Sequence, residues 1–311
     1  MPTLHRCPRP ILPLLATLLA AGCTDAPTGD NGPPPPPLFD RIIFTRRLPV
    51  GCSLDCTFGL WTMQPDGSDL RLLRDSLQYP ESPSVSPDGS TVLFEDGGEL
   101  YLMDAGGNGL HPLATGLVEN YMPSWTPDGA WIYFMAADSV GGGWQVRRIR
   151  PDGAGLERLT NVAGQTGLHP AVSHDGHWLA YRAELEGVVP QVSWLVLRDL
   201  TTGQEQVVTD STFRGASGKW APDGGSLLFL DSDPMSPANW YQWRFTVATK
   251  QYTPFGASQG NRPATWSPDG TTLLFGSGDL WLADADGQNR RVLLADSALN
   301  QEAFWTPASP P

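Results

Sequence analysis

Histidine, cysteine and basic residues are scarce in this sequence, and each scarcity narrows the possible functions. The 311 residues include 5 histidines, 4 cysteines and 20 lysines and arginines, against 33 aspartates and glutamates. We do not expect a nucleic-acid partner, because phosphate binding requires clustered lysine and arginine. A divalent metal site requires three or four converging ligands, and so few histidines and cysteines do not indicate one. We therefore expect no metal and no cofactor.

Long apolar runs are also missing from the sequence, except for one short run near its N-terminus. Ile11 to Ala21 is too short to span a bilayer comfortably, and two arginines precede it, as in a secretory signal. The run leads into Leu-Ala-Ala-Gly-Cys, ending at Cys23, which resembles the lipobox of bacterial lipoproteins. In that family the signal is cut off before the cysteine, which then carries a lipid. The resemblance implies a signal peptide at 1–22 and a lipid on Cys23. The alternative is an ordinary secretory signal that contains a cysteine.

A proline-rich segment follows Cys23 and ends in five consecutive prolines. Such a segment cannot form a packed core and tends to be extended and semi-rigid. We therefore expect a tether at 23–37 that holds a domain, 38–311, away from a membrane. Without the signal the chain has 18 basic and 33 acidic residues, a formal charge of −15, so the lipid is the expected membrane contact. These features predict an exported bacterial lipoprotein anchored to the cell envelope, on the periplasmic face or at the cell surface.

Two cysteines, Cys52 and Cys56, remain once the signal and the expected lipid site are set aside. In an exported protein, a pair with three intervening residues in a glycine-bearing loop is typical of a local disulfide. A redox-active pair normally has two intervening residues at the start of a helix, and a metal site would need further thiols or nearby histidines. We predict a disulfide between Cys52 and Cys56.

A turn motif of proline, aspartate and glycine recurs along the rest of the chain. Its aspartates lie 40 to 48 residues apart, and a truncated copy occupies 304–307. No stretch has a sustained helical period, and the apolar runs between turns are short, as in strands. A period of about 40–50 residues in a strand-rich chain predicts the blades of a β-propeller. The copies are Val-Ser-Pro-Asp-Gly at 85–89, Trp-Thr-Pro-Asp-Gly at 125–129, Val-Ser-His-Asp-Gly at 172–176, Trp-Ala-Pro-Asp-Gly at 220–224 and Trp-Ser-Pro-Asp-Gly at 266–270.

The residue types of this motif are those of a turn. Proline presets φ at the second turn position, aspartate hydrogen-bonds the neighbouring backbone, and glycine adopts the left-handed conformation that lets the chain re-enter a strand. We therefore predict that the repeated aspartates are structural rather than catalytic.

The two ends of the chain each carry part of a repeat. A second motif, Leu-Trp/Tyr-x-x-x-x-Asp-Gly with looser copies, marks the third strand of each repeat. It occurs six times, but complete turn motifs number five. Arg41 to Phe44 is a second strand with no first strand before it, and 304–307 is a first strand with nothing after it. Together they complete a sixth blade, which leaves no open sheet edge. We predict an all-β, six-bladed propeller of four-stranded blades, closed by the C-terminal strand joining the N-terminal blade.

The repeats have the form Pro-x-Trp-Ser-Pro-Asp-Gly, then an apolar strand, then Leu-Trp/Tyr-x-x-x-x-Asp-Gly. This pattern resembles the TolB-type β-propeller repeats over about residues 38–307. The resemblance implies a propeller fold and, because propellers of that family commonly bind proteins, a protein partner. The same repeats occur in propellers attached to serine peptidases and in some lyases, so the fold alone does not define the function.

The loops that enter the first strand of each blade surround one mouth of a propeller channel. Here these loops carry charged, amide, aromatic and histidine side chains, as binding loops on rigid scaffolds often do. The alternative is that they are solvated loop residues with no ligand. The candidate binding residues are Glu81, Asn120, Tyr121, His169, Arg214, Asn261, Arg262, Asn300 and Glu302.

The sequence favours a non-enzymatic scaffold that binds a protein or an envelope polymer through these loops. The alternative is a propeller enzyme, a lyase or hydrolase that acts on carbohydrate or peptide through channel residues. No paired acid and base, metal triad or attached hydrolase domain is evident in the sequence, so we assign no catalytic residue.

Overall fold

The strands of this protein lie in the unit Pro35–Pro311 of a computed structural model. The structure describes residues 33–48, 57–139, 143–160, 164–189, 192–209, 215, 218–232, 240–257, 262–296 and 298–310. Within these ranges there are strands, turns and loops and no α-helix, as the sequence pattern predicts. The expected lipid site, the expected disulfide and two of the candidate binding residues lie outside the described ranges: Cys23, Cys52, Cys56, Arg214 and Asn261.

The strands are arranged as antiparallel blades in chain order. The chain begins with β1 (Ile42–Leu48), β2 (Thr57–Met63) and β3 (Arg71–Leu77). These three strands belong to the sixth blade, and the blades are numbered from the one that follows. The first blade consists of β4 (Glu81–Val85), β5 (Thr91–Asp96), β6 (Glu99–Asp104) and β7 (His111–Pro112). The second consists of β8 (Val118–Trp125), β9 (Ile132–Ala137), β10 (Gln145–Ile149) and β11 (Glu157–Arg158).

The remaining blades follow the same order. The third consists of β12 (Gln165–Val172), β13 (Trp178–Leu185), β14 (Ser193–Asp199) and β15 (Glu205–Val207). The fourth consists of β16 (Lys219–Trp220), β17 (Ser226–Ser232), β18 (Trp240–Thr246) and β19 (Gln251–Ala257). The fifth consists of β20 (Thr265–Trp266), the long span β21 (Thr272–Asp284) and β22 (Arg291–Leu294), and the last strand is β23 (Asn300–Trp305).

The last strand closes the ring against the first. Strand β23 pairs antiparallel with β1, with Ile42 opposite Trp305 and Ile43 opposite Phe304, so the sixth blade has the order β23-β1-β2-β3. Just beyond the pairing, the backbone N–H of Thr306 donates to the carbonyl of Arg41 at 2.8 Å. The predicted six-bladed ring, closed by both chain ends, is confirmed.

The described residues of the hydrophobic core form six clusters, one between each pair of neighbouring blades. Successive side chains of a strand point to opposite faces, so one strand serves two clusters. On β17, for example, Leu227 and Phe229 pack towards the third blade, whereas Leu228 packs towards the fifth. The apolar runs of the inner strands are therefore continuous rather than alternating, because both faces of each blade are covered.

The repeated turn is held by its aspartate, as predicted. In the first blade the Asp88 carboxylate accepts a hydrogen bond from the Ser86 hydroxyl at 2.5 Å and one from the Ser90 backbone N–H at 3.0 Å. The equivalent bond from the Ser267 hydroxyl to Asp269 is 2.6 Å long. These hydrogen bonds, led by that from Ser86, lower the pKa of Asp88.

Candidate functional site

The innermost strands of four blades carry the same local irregularity. In each of these strands the pairing register shifts, as at a β-bulge, about three residues before the last residue of the strand. At each bulge a residue other than glycine adopts the left-handed conformation. These residues, with φ between 50° and 54°, are Ser82, Met122, His169 and Glu302.

Left-handed conformations of this kind store backbone strain. A residue other than glycine in this region costs on the order of 1–3 kcal/mol and persists only where the surrounding structure fixes it. Three of the four residues precede a proline, which disfavours the right-handed helical conformation for the residue before it. The bulge turns the side chain of the strained residue towards the ring axis, so the strain lies at the channel.

A cavity of about 250 Å³ occupies the channel at the level of these bulges. All six blades contribute to its lining, which places it on the axis of the ring. The lining residues are Ser82, Met122, His169, Lys219, Arg262, Pro263, Thr265, Gly276, Glu302, Ala303 and Phe304.

Three of the candidate residues from the sequence form an ion-pair cluster across blades. Arg262, before the fifth blade, contacts Glu81 of the first blade at 3.2 Å between Nη2 and Oε1. Its Nε atom also pairs with Oε1 of Glu302, of the sixth blade, whose side chain is almost completely buried. The other Glu302 oxygen accepts a hydrogen bond from the Ser82 backbone N–H at 3.2 Å. Arg262 therefore fixes three blades relative to one another at the cavity wall.

His169 is another candidate that the structure places in the cavity lining. Burial, together with the positive charges of Arg182, Arg262 and Lys219, lowers its pKa to about 4. The imidazole is therefore neutral at neutral pH.

Lys219 is a cavity residue that the sequence reasoning missed. Its Nζ atom lies 4.4 Å from the ring centroid of Phe304, so the side chain reaches from the fourth blade to the sixth. Burial lowers its pKa, while the negative charge of Glu302 opposes that shift. The residue lies one position before Trp220 of the repeated motif, within the strand, whereas the prediction considered only the entering loops.

Glu95 is a second residue that the sequence reasoning missed. It lies on β5 directly opposite Glu81, and its Oε1 atom accepts a hydrogen bond from the Gly98 backbone N–H at 2.6 Å. Burial raises its pKa to about 8, with further contributions from the negative charges of Glu81, Asp96 and Glu302. Glu95 is therefore mainly protonated at neutral pH, in contrast to an exposed glutamate.

The two described asparagine candidates serve the loops themselves. Asn120 is fully buried, donates from Nδ2 to the carbonyl of Gly98 at 3.0 Å and accepts from the Thr115 hydroxyl at 2.9 Å. Asn300 is also fully buried, and its Nδ2 atom donates to the carbonyl of Ala298 at 3.4 Å. Both side chains thus stabilise the backbone at the entrance to an inner strand.

Tyr121 is half-buried beside the first blade. Its ring centroid lies 5.3 Å from that of Trp144. Burial raises the pKa of its hydroxyl, and the charges of Glu95, Glu119 and Glu81 add to that effect. The tyrosine therefore remains protonated and offers a hydrogen-bond donor near the mouth.

The described residues include neither a metal-binding cluster nor a membrane-spanning helix. No group of three or more histidine, cysteine, aspartate or glutamate side chains there is arranged to hold a metal ion. None of the described residues forms a helix with the length and apolarity that crossing a membrane requires.

Known proteins resemble this chain in sequence. A family model described as the TolB beta propeller domain matches residues 82–242, more than half of the chain. A Tol-Pal system protein TolB of Anaeromyxobacter dehalogenans is 30% identical over 116 residues, which cover 36% of this chain and 26% of that protein. An uncharacterized protein of Agrobacterium fabrum is 30% identical over 161 residues, which cover 48% of this chain and 54% of that protein. The chain thus matches about a quarter to a half of the length of these relatives.

Solved structures resemble the chain in fold. TolB from Acinetobacter baumannii superposes with a TM-score of 0.69 at 20% identity, over 86% of this chain and 67% of the other. A putative TolB from Agrobacterium tumefaciens superposes with a TM-score of 0.65 at 20% identity, over 87% of this chain and 94% of the other. At this level of identity the likeness shows the propeller fold and does not by itself extend to function.

Proposed function

Because this chain belongs to the TolB β-propeller domain family, we propose that it is a non-enzymatic scaffold that binds a protein of the bacterial cell envelope at the mouth of its channel. The observation that carries the proposal is the cluster of Glu81, Arg262 and Glu302, which holds charged groups of three blades in fixed positions at the channel. Pre-organised polar groups of this kind reduce the ordering cost of binding. The name of the Anaeromyxobacter relative, a Tol-Pal system protein, supports a partner in the envelope.

We further propose that the chain is an exported lipoprotein with a signal peptide at 1–22, a lipidated Cys23 and tether at 23–37, and the propeller at 38–311. The proposed boundary after the prolines is supported by Leu38, which is buried in the core between the sixth and first blades and donates its backbone N–H to the carbonyl of Gly89 at 2.8 Å. The lipid would hold the propeller at the periplasmic face or the cell surface. Mass spectrometry of the mature protein, with and without Cys23→Ser, tests the lipid directly; a mass difference no larger than that between cysteine and serine would contradict it.

A propeller enzyme is the second candidate, and one observation favours it. Glu95 is protonated and His169 is neutral at neutral pH, the states that a general acid and a general base need. Glu95 does not line the channel cavity, however, whereas His169 does. We therefore favour the binding scaffold over a lyase or hydrolase.

Site-specific crosslinking in the native envelope tests the scaffold. A photoreactive phenylalanine analogue replaces Tyr79, which is 48% exposed and precedes Glu81 in a loop at the mouth. In a matched control it replaces Val292, which is 50% exposed on β22. We expect one discrete protein to crosslink at position 79 and not at 292, and Arg262→Met to reduce that product. Equal products at both positions, or no effect of Arg262→Met, would contradict binding at the mouth.

A further inference from the structure

The sequence contains two lysines against eighteen arginines, and one of the two lysines lies in the channel. Lys250 is exposed in the turn between β18 and β19. Lys219 lines the cavity, at the start of the inner strand of the fourth blade. An arginine side chain does not lose its proton in proteins, whereas a lysine does so readily once it is taken out of water. Lys219 therefore gives the cavity a basic group that can become a neutral amine.

The side chain of Lys219 is positioned by packing rather than by an ion pair. Its Nζ atom lies 4.4 Å from the ring centroid of Phe304. None of the residues in the described ranges accepts a hydrogen bond from Nζ or forms an ion pair with it. The carboxylate of Glu302 is almost completely buried and is already occupied, by Arg262 and by the Ser82 backbone N–H. The amine thus remains available to a ligand.

The surroundings of Lys219 favour its neutral form. Burial disfavours the ammonium group and lowers its pKa, while the negative charge of Glu302 opposes that shift and the positive charge of Arg262 adds to it. A lysine that is desolvated in an apolar pocket, or that lies near another cation, becomes a nucleophile because its neutral amine has a free lone pair. Lysines of this kind form imines with carbonyl compounds.

The cavity has space and apolar surface beside this amine. Its apolar lining residues include Met122, Pro263, Ala303 and Phe304. One water molecule takes up about 30 Å³ in the liquid, so a volume of about 250 Å³ holds roughly eight groups of that size. A short aliphatic chain fits this space, and a neutral ligand brings no charge that would need a partner. These features favour a small aliphatic aldehyde.

We propose that Lys219 captures a small aliphatic aldehyde in the channel cavity as a reversible imine. The lone pair of the neutral amine attacks the carbonyl carbon, and one amine proton moves to the carbonyl oxygen to give a carbinolamine. The hydroxyl group then leaves as water together with the second amine proton, and a carbon–nitrogen double bond forms. Amine and aldehyde thus yield imine and one water molecule. The reaction consumes no oxidant or reductant, and hydrolysis reverses it.

This site is separate from the proposed binding of a protein partner at the mouth. Capture of an aldehyde without turnover is compatible with a scaffold. The photo-crosslinking experiment at the mouth can fail while Lys219 reacts, and the reverse, so the two proposals are distinguishable.

Reductive trapping compares the two lysines within the same folded chain. The full chain is treated with butanal and sodium cyanoborohydride, which reduces an imine to a stable secondary amine, and peptide mass spectrometry measures alkylation at Lys219 and Lys250. We expect Lys219 to react at least about tenfold faster, because a larger share of its amine is neutral. In urea the two rates should agree within about twofold, since both unfolded lysines have the ordinary pKa. Equal rates in the folded protein, or a faster Lys250, would overturn the proposal.

Two comparisons test whether the reaction takes place in the cavity. The aldehyde 1-pyrenecarbaldehyde is too large for the cavity and should show no preference for Lys219. Met122→Trp narrows the cavity and should slow the reaction of butanal with Lys219 at least about tenfold, while Lys250 reacts as before. Lys250→Arg is the matched control and should leave the rate at Lys219 unchanged.

Two results would contradict the cavity assignment. One is the same preference for Lys219 with the large aldehyde, and the other is an unaltered rate at Lys219 in folded Met122→Trp. The comparison of the two lysines in the wild-type chain remains decisive if this variant does not fold.

Discussion

Glu95 determines how many negative charges lie beside the ion-pair cluster at neutral pH. Its pKa of about 8 keeps it mainly protonated, because burial and the negative charges of Glu81, which lies directly opposite, and of Glu302 disfavour the carboxylate. Among the described carboxyl groups of this cluster, Glu81 and Glu302 then need a positive partner, and one arginine, Arg262, contacts both. Because the buried carboxyl group of Glu95 stays neutral, a single arginine is enough to pair the charged carboxylates of the cluster.

The raised pKa of Glu95 predicts a loss of stability as the pH rises. Between the unfolded pKa near 4.5 and the folded pKa of about 8, the folded state holds a proton that the unfolded state has lost, so the free energy of unfolding falls with pH. Glu95→Gln keeps an acceptor for the Gly98 N–H and should remove a fall on the order of 2 kcal/mol, allowing for solvent screening. Urea denaturation of both proteins from pH 5 to pH 8.5 measures the difference. Parallel curves would contradict the protonated state.

The mouth residues could be predicted from the sequence because each follows from its distance to a repeated turn. Glu81, His169, Arg262 and Glu302 all converge on the channel in the structure. Lys219 could have been found by continuing the strand alternation past the loop. Glu95 could not, because its position opposite Glu81 depends on a register shift that no residue pattern marks.

At the scale of elements, neighbouring blades approach closely at their turns. The turn after β6 brings Gly107, at φ 85°, against β3 of the sixth blade. A Cβ atom at Gly107 would lie 1.9 Å from the carbonyl oxygen of Leu73. Gly109, two residues further on, has φ 64° but no neighbouring atom within 4 Å of such a Cβ.

Substitutions at these two glycines distinguish the free-energy cost of close packing from the cost of the left-handed backbone conformation. Gly109→Ala should cost about 1 kcal/mol of unfolding free energy, because only the left-handed conformation is strained. Gly107→Ala should cost roughly 3 kcal/mol, since the carbonyl of Leu73 must also move. Guanidinium denaturation of both variants measures the difference. Equal losses would show that the two blades do not approach closely at this turn.

The order of the strands and turns could be predicted, but their irregularities could not. The repeated Pro-Asp-Gly motif marks each turn because its residue types dictate local geometry. By contrast, β21 runs continuously from Thr272 to Asp284 because Ser277 and Gly278 pair with β23 of the next blade. The bulges of the inner strands likewise arise from pairing between strands, which a local pattern does not specify.

At the scale of the whole molecule, the two chain ends complete one blade. The pairing of β23 with β1 brings together residues more than 250 positions apart in the sequence. It buries Ile42 and Ile43 completely and places Glu302 and Phe304 in the channel. The fold and the candidate site therefore depend on the same closure.

Deleting 300–311 tests the closed ring most directly, with deletion of 310–311 as the control. Differential scanning calorimetry should show that the long deletion abolishes the folding transition or lowers the melting temperature of the whole molecule in one cooperative step. The short deletion should leave the melting temperature unchanged. A protein that lacks 300–311 and melts at the wild-type temperature would contradict the closed six-bladed ring, and with it the channel that the proposed binding requires.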